Sequence, residues 1–278
     1  MLPILFSIGS LHLFSLGVFL VLAWGVFSFL FWKSLRAQAV SDEHIFDLTF
    51  YATLFMVVGA RASFVFLDSA SFISDPLRIV AIWVAPGLSF WGGLIVALAA
   101  LFIAAKRYKL RLGMILDGLA ASLPLSLAVG LIGGLLDGAS AGVSSSLPWA
   151  VHYVGEVGAR HPIQLYEMIA LLCIMLILKL LAPRAKKDHW PFGHMGLIFF
   201  LAFSFAMFLL EFLKESGIYF FHLHPNQWVQ IAFFAESAGA LYVRGGGKYT
   251  IRHGVSSIVM FVRQKGAGIY GKLIHRQP

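Results

Sequence analysis

Arg160-His161-Pro162-Ile163-Gln164-Leu165-Tyr166-Glu167 places five polar or charged side chains at the entrance of a long apolar segment. That segment, Ile163–Leu181, runs for roughly twenty residues with few charges, the length of an α-helix that crosses a bilayer. Pro162 suits the start of such a helix. Gln164 and Glu167 are three residues apart, so they share one helix face. The stretch therefore predicts a transmembrane helix whose first turns carry a polar cluster into the membrane.

A carboxylate just inside the hydrocarbon region is costly, and it normally faces a protein interior or a wet cavity that supplies a partner. One interpretation is that Arg160 and His161 stay at the lipid headgroups while Glu167 makes a single structural salt bridge. The other is that the cluster lines a functional cavity. This stretch alone leaves both open.

The composition excludes a soluble domain, because 59% of the 278 residues are hydrophobic, 12% are charged and the mean hydropathy is +0.84. The sequence predicts an all-α, polytopic membrane protein. Its single cysteine, Cys173, lies in an apolar run, so we expect a buried, inert thiol and no intramolecular disulfide. The formal charge of +8 comes from basic residues scattered between the apolar segments, which suits anionic lipid headgroups better than nucleic acid.

Apolar segments of spanning length predict about seven transmembrane helices, the first of which reads as a true span and not as a removed signal peptide. They are Leu13–Trp32, Ile45–Leu67, Leu88–Ala105, Ile115–Leu136, Ile163–Leu181, Phe192–Leu213 and Gln227–Val243.

Basic residues follow the first, third, fifth and seventh of these segments, which by the positive-inside rule puts the amino terminus outside and the carboxyl terminus in the cytoplasm. We therefore expect one transmembrane domain over residues 1–247 and a basic cytoplasmic tail over residues 248–278. No phosphate-binding loop and no zinc-ligand spacing is recognisable, so we expect neither a metal nor a cofactor.

Two further charged groups lie inside predicted spans. Arg61, in Gly59-Ala60-Arg61, stands one to two turns from the outer end of the second span, where a guanidinium either extends to the surface or binds an anion such as phosphate. Glu211 lies about one turn inside the sixth span and can pair with Lys214 at i,i+3. Since Arg61, Glu167 and Glu211 all fall in the outer halves of their spans, we expect a shared polar cavity that opens outward or into the outer leaflet.

The chain resembles the prolipoprotein diacylglyceryl transferase family in residue order up to about position 247. The most specific match is the opening stretch, which differs from the family's R-H-P-S-Q-L-Y-E only at Ile163. Gly59-Ala60-Arg61 is similar to G-G-R, Ser89–Leu94 to S-F-H-G-G-L, and Glu211–Lys214 to E-F-F-R, while Gly142 matches the last glycine of the family signature.

This resemblance implies an enzyme of the bacterial inner (plasma) membrane that transfers a diacylglyceryl group from phosphatidylglycerol to the thiol of a lipobox cysteine in a secreted prolipoprotein. Such chemistry needs a base for the thiol, cations for the phosphate and a lateral opening for the lipid. The candidate bases are His161 and Glu167. The candidate substrate-binding residues are Arg61, Arg160, Gln164, Tyr166, Glu211, Lys214 and Gly142.

Several positions depart from the family pattern. Trp91 stands where the family has a functional histidine, and Leu131 and Gly134 stand where the family has R-x-x-N. Met207 replaces another arginine, and Phe14 replaces a tyrosine. Loss of a base and two arginines together removes groups that each supply several kcal/mol of transition-state stabilisation.

Three hypotheses follow. The chain is a divergent transferase that holds phosphate through Arg61, with Arg160 or Lys214. Alternatively, it is a non-catalytic relative that binds lipid or a lipoprotein or membrane partner, or a transferase for another lipid or acceptor. The first two predict that Arg61, Gln164, Tyr166, Glu167 and Glu211 converge within side-chain reach.

Overall fold

A computed structural model describes residues 2–8, 11–73, 75–82, 84–85, 87–138, 140–215 and 219–245. The described chain is mainly helical. Its strands are β1 (Ile4–Ile8), β2 (Leu11–Phe14), β3 (Val151–His152) and β4 (Ala159–Arg160). Its helices are α1 (Ser15–Arg36), α2 (Asp42–Leu67), α3 (Ser69–Ile73), α4 (Phe90–Arg107), α5 (Leu112–Asp137), α6 (Ile163–Lys187), α7 (His194–Glu211) and α8 (Pro225–Arg244), with a 3-10 turn at Pro76–Ile79.

The prediction of an all-α, polytopic membrane protein is confirmed. Six of the described helices, α1, α2 and α4–α7, are long and apolar enough to cross a membrane. The seventh predicted span is also a helix, α8, but Gln227, Gln230 and Glu236 make it less apolar than the other six. The predicted orientation of the termini stays a prediction, and the predicted tail over residues 248–278 lies outside the described residues.

The amino-terminal residues form a β-hairpin and not the first turns of a helix. β1 pairs antiparallel with β2, and Ser15 then begins α1. The backbone N–H of Leu2 donates to the Leu136 carbonyl at 3.0 Å, which ties the hairpin to the end of α5. The first spanning helix starts at Ser15, two residues after the predicted Leu13, and the hairpin before it was not predicted.

Small residues let the helices of the bundle approach closely, as is common in membrane proteins. A Cβ at Gly133 of α5 would lie 2.6 Å from the Cβ of Phe19 on α1. A Cβ at Gly196 of α7 would lie 2.5 Å from the Cβ of Leu116 on α5. α5 thus packs between α1 and α7 through glycine, with bulky partners opposite.

The two ends of the bundle differ in chemistry. α1, α4, α6 and α8 each end in basic residues, and at this basic end Asp117 accepts hydrogen bonds from the backbone N–H groups of Gly193 (2.7 Å) and Gly196 (2.9 Å). A carboxylate there satisfies donors that the first turn of α7 leaves free. The other end, at which α2, α5 and α7 finish, holds the polar residues described below and is called the site end.

One local prediction is wrong. Cys173 is exposed on the surface of α6 and is not buried. Its neighbours Leu171 and Ile174 face the core, so the helix turns the thiol away from the bundle. An apolar run shows that a residue is in a spanning helix, but it does not show which side faces lipid.

Candidate functional site

Backbone hydrogen bonds bring three segments together at the site end. The N–H of Gly142 donates to the His161 carbonyl (3.2 Å), and the N–H of His161 donates to the Val143 carbonyl (3.1 Å). The N–H of Val143 in turn donates to the Leu213 carbonyl (2.8 Å). A Cβ at Gly142 would lie 2.7 Å from the His161 carbonyl oxygen, so only glycine fits this crossing. The loop after α5 thus holds the start of α6 beside the end of α7.

Lys214 lies between two carboxylates at the centre of this arrangement. Its Nζ is 2.7 Å from Glu167 Oε1 and 3.1 Å from Glu211 Oε2. Asn226 Nδ2 donates to the other oxygen of Glu211, Oε1, at 2.7 Å. Burial lowers the pKa of Lys214, but the two carboxylates outweigh that effect and hold the pKa above its ordinary value. Lys214 is therefore a cation, and the two carboxylates occupy two of its three N–H donors, so one is left over among the contacts of the described residues.

Arg160 forms a second ionic group beside the first. Its Nη2 is 2.7 Å from Glu156, and its Nη1 binds Glu215 and donates to the Gly142 carbonyl at 3.2 Å. The Nε of Arg160 is buried and has no partner among the described residues. The guanidinium is thus anchored by loops, while its buried Nε–H is left without an acceptor in the described part of the chain.

Aromatic and imidazole groups form a hydrogen-bonded chain next to the two ionic groups of Lys214 and Arg160. Trp149 Nε1 donates to the Tyr166 hydroxyl oxygen at 2.7 Å, and the same hydroxyl is 3.1 Å from His161 Nδ1. The His161 and Tyr166 rings meet edge to face, with centroids 5.8 Å apart. Tyr166 therefore orients the His161 ring, and its hydroxyl can pair with either tautomer of the imidazole, as a donor to Nδ1 or as an acceptor from Nδ1–H.

Gln164 is buried and fully engaged in positioning. Tyr153 donates its hydroxyl to Gln164 Oε1 at 3.2 Å, and Gln164 Nε2 donates to the Ser140 carbonyl at 2.8 Å. Burial, together with the nearby Tyr166, raises the pKa of Tyr153, so its hydroxyl stays protonated. Gln164 thereby fixes the segments on either side of β3 to the first turn of α6.

Arg61 contacts the loop before α4, and its predicted place in the cluster stays a prediction. Arg61 is buried, and its guanidinium donates to four backbone carbonyls of the loop before α4, those of Arg78, Ile79, Ala85 and Gly87, at 2.6 to 3.0 Å. It also lies over the rings of Phe64 and Phe72. Its contacts are those of a loop anchor, whereas Glu167, Glu211 and Lys214 do converge, with Gln164 and Tyr166 on the adjoining turns of α6.

A cavity of about 560 Å³ opens between the site ends of α2, α4 and α8. Its wall is largely apolar and includes Trp91. The lining residues are Ala62, Ser63, Phe66, Leu67, Ser89, Trp91, Gly92, Pro225, Asn226 and Val229. Asn226 belongs to both the cavity wall and the Glu211 hydrogen bond, so it connects the cavity with the ion cluster.

The residues that replace polar groups of the family pattern are apolar or lack a side chain. Met207 is buried in the core, and Leu131 is half-buried against it. Gly134 is buried, and a Cβ there would lie 3.8 Å from the Cγ of Gln164. Phe14 is exposed before α1. None of these side chains can hold a phosphate or move a proton.

Some site residues were missed by the sequence analysis, namely Asn226, Trp149, Tyr153, Glu156 and Glu215. They lie on loops or at a helix start, where no periodic pattern indicates which side chain points inward. Pro225, at the first position of α8, was the available signal that Asn226 opens a helix. Among the described residues, no three His, Cys, Asp or Glu side chains form a group that could hold a metal ion.

Fold and site together define a multi-pass helical membrane protein with a buried cluster of ion pairs beside a largely apolar cavity. The family model described as prolipoprotein diacylglyceryl transferase matches residues 3–243. The phosphatidylglycerol–prolipoprotein diacylglyceryl transferase of Bordetella bronchiseptica is 31% identical over 204 residues, which cover 69% of this chain and 75% of that protein. The protein of the same name from Pseudoalteromonas atlantica is 30% identical over 215 residues, covering 77% and 75%. The chain belongs to the prolipoprotein diacylglyceryl transferase family.

Proposed function

We propose that this chain is a divergent diacylglyceryl transferase of the bacterial inner membrane, with phosphatidylglycerol as the lipid donor and the lipobox cysteine of a prolipoprotein as the acceptor. The observation that carries the proposal is the Glu167–Lys214–Glu211 cluster, which is joined through Asn226 to an apolar cavity among membrane helices. Relatives that are 30 and 31% identical carry the name of this activity. We propose the outward amino terminus and the cytoplasmic tail with it, on the charge pattern of the loops.

The reaction forms a C–S bond between the acceptor cysteine and the glyceryl carbon of the lipid, while the C–O bond to phosphate breaks. Glycerol phosphate leaves with the electron pair, and the thiol proton passes to a base. We assign that base to His161 because Lys214 already neutralises Glu167. In the productive tautomer Nδ1–H donates to the Tyr166 oxygen and Nε2 receives the proton.

The developing charge on the leaving phosphate needs donors that are not already used. Lys214 has a third N–H, and the buried Nε–H of Arg160 has no partner among the described residues. In this proposal the two donors bind the phosphate. The family resemblance implies arginines for that role at the positions that Leu131 and Met207 occupy here. Arg61, whose donors are taken up by the loop, stabilises the fold in this scheme.

A second candidate function is favoured by the same replacements. Met207 and Leu131 pack against the core, and Trp91 lines the cavity, so the chain is suited to binding a lipid or a lipoprotein without transferring anything. In this case the ion cluster only holds the loops of the site end together.

A reconstituted assay separates the two. The purified chain in phosphatidylglycerol nanodiscs is incubated with a synthetic lipobox peptide, and mass spectrometry measures the diacylglyceryl thioether. The transferase proposal predicts peptide modification that falls at least about 100-fold in His161→Ala, the usual contribution of general-base catalysis. Unmodified peptide, from a chain that binds the lipid and unfolds cooperatively, would support the non-catalytic candidate and overturn the transferase. His152→Ala, on an exposed strand position outside the cluster, serves as the matched control.

A further inference from the structure

Asn226 is the polar group that the cavity shares with the ion cluster. Within the wall formed by α2, α4 and α8, most lining side chains are apolar or small, and Asn226 stands at the start of α8 facing this space. One turn further along α8, Val229 lines the same cavity with an apolar side chain. A lipid in the cavity therefore meets an amide at one place and hydrocarbon next to it.

The contact with Glu211 fixes which way this amide points. Glu211 is buried, with Lys214 on one carboxylate oxygen and Asn226 on the other. An ionised carboxylate only accepts hydrogen bonds, so the NH₂ group of Asn226 must face Glu211. Within the described part of the chain no residue donates to the amide carbonyl Oδ1, so this pure acceptor is the atom that the described contacts leave for a ligand.

Because Asn226 Oδ1 can only accept a hydrogen bond and lies beside the Glu211 carboxylate, it favours a ligand group that donates a hydrogen bond. A phosphate oxygen placed at Asn226 Oδ1 would oppose acceptor to acceptor and would approach the charge of Glu211. A hydroxyl group donates to the same atom without penalty and brings no charge. The phosphate of a bound lipid must then lie elsewhere, toward the third N–H of Lys214.

From this geometry we propose that Asn226 determines head-group specificity by accepting a hydrogen bond from a hydroxyl of a glycerophospholipid whose polar head is hydroxylated. This inference rests on the proposed function only in taking a glycerophospholipid as the occupant of the cavity. It requires no transfer reaction. Asn226 is a specificity-determining residue in this account, whereas His161, Lys214 and Arg160 serve the chemistry.

Lipid binding by native mass spectrometry tests the proposal without any acceptor peptide. The detergent-solubilised chain is titrated with phosphatidylglycerol and with phosphatidic acid of the same acyl chains, which keeps the phosphate and lacks the head-group hydroxyls. We expect the wild-type chain to bind phosphatidylglycerol roughly twofold to tenfold more tightly, the factor that one net hydrogen bond supplies. Equal binding of the two lipids by the wild-type chain would overturn the proposal, with no variant needed.

Two variants locate the preference. Asn226→Ala should bring the ratio of the two affinities close to one, while Val229→Ala should weaken both lipids together and leave the ratio unchanged. A preference that survives Asn226→Ala would place the hydroxyl contact at another residue and refute the assignment. The same ratio can be measured whether or not the chain modifies peptide, so failure of the transferase proposal and failure of this one are distinguishable.

Discussion

Replacement of Lys214 by methionine probes the site where burial and charge oppose each other most strongly. The two carboxylate oxygens that it holds lie within 5.8 Å of one another, the sum of the 2.7 Å and 3.1 Å contacts. The side chains of Glu167 and Glu211 are only 12% and 3% exposed. Without the ammonium, two negative charges face each other with little solvent between them, whereas methionine preserves the length and most of the packing of the lysine stem.

Removing one partner of a buried ionic group costs about 3 to 5 kcal/mol, and the partial exposure of Lys214 places this variant near the lower end. A loss of about 3 kcal/mol lowers the unfolding midpoint by roughly 6 to 12 °C in a chain of this size. The assay is thermal unfolding in detergent, followed by circular dichroism at neutral pH. Lys106→Met, an exposed lysine at the end of α4, is the matched control and should change stability by less than about 0.5 kcal/mol.

The dependence on pH distinguishes a charge effect from a packing effect. The pKa of Lys214 in the folded protein stands above its ordinary value of 10.5, so its contribution is complete below that pH and is lost as pH rises through the raised pKa. The difference between wild type and Lys214→Met should therefore shrink in strong alkali.

Adding Glu167→Gln and Glu211→Gln to Lys214→Met should restore most of the lost stability, since the triple variant has no charge left uncompensated. A triple variant as unstable as Lys214→Met, or a Lys214→Met variant as stable as the control, would show that uncompensated buried charge does not cause the loss of stability.

Three further predictions concern single positions. The buried amide of Gln230 has no partner among the described residues, so Gln230→Leu should stabilise the protein by about 1 to 3 kcal/mol. Gln227→Leu should instead destabilise it in the same thermal assay, because it loses the hydrogen bonds to His224 and Phe208. Gly142→Ala should lower the unfolding free energy by about 1 to 3 kcal/mol through its clash with His161, and Gly17→Ala, with open space around it, should not. Tyr108, hydrogen-bonded to a carboxylate that raises its pKa to about 12, should supply a phenolate signal near that pH in an absorbance titration that Tyr108→Phe removes; a titration unchanged by the substitution would contradict the contact.

The parts of the fold that the sequence predicted are those with a strong local signal. Long apolar runs located every spanning helix, and the spacing of Glu211 and Lys214 predicted their contact. The position of Glu167 on the first turns of α6 followed from the same periodicity. The predicted start of the first span, Leu13, lies two residues from the start of α1, but the hairpin of β1 and β2 was not predicted because its apolar residues continue the hydrophobic run.

The parts that could not be predicted depend on long-range contacts. Arg61 is held by backbone carbonyls 17 to 26 residues away. Because every residue has a backbone carbonyl, the sequence does not indicate which ones are the partners. Asn226 reaches Glu211 across the loop that joins α7 to α8. Charged residues in membrane spans predict that a partner exists, but only the packed helices show which one it is.

Cellular complementation tests whether the chain transfers a diacylglyceryl group to prolipoproteins in a living membrane. The chain is expressed in bacteria whose own diacylglyceryl transferase is depleted, and lipidation of a reporter lipoprotein is followed by its shift in mass. The account predicts that the wild-type chain restores lipidation and that His161→Ala does not, although it accumulates in the membrane to the same level. A wild-type chain that is inserted and folded, yet leaves the reporter unmodified, would contradict transfer to prolipoproteins.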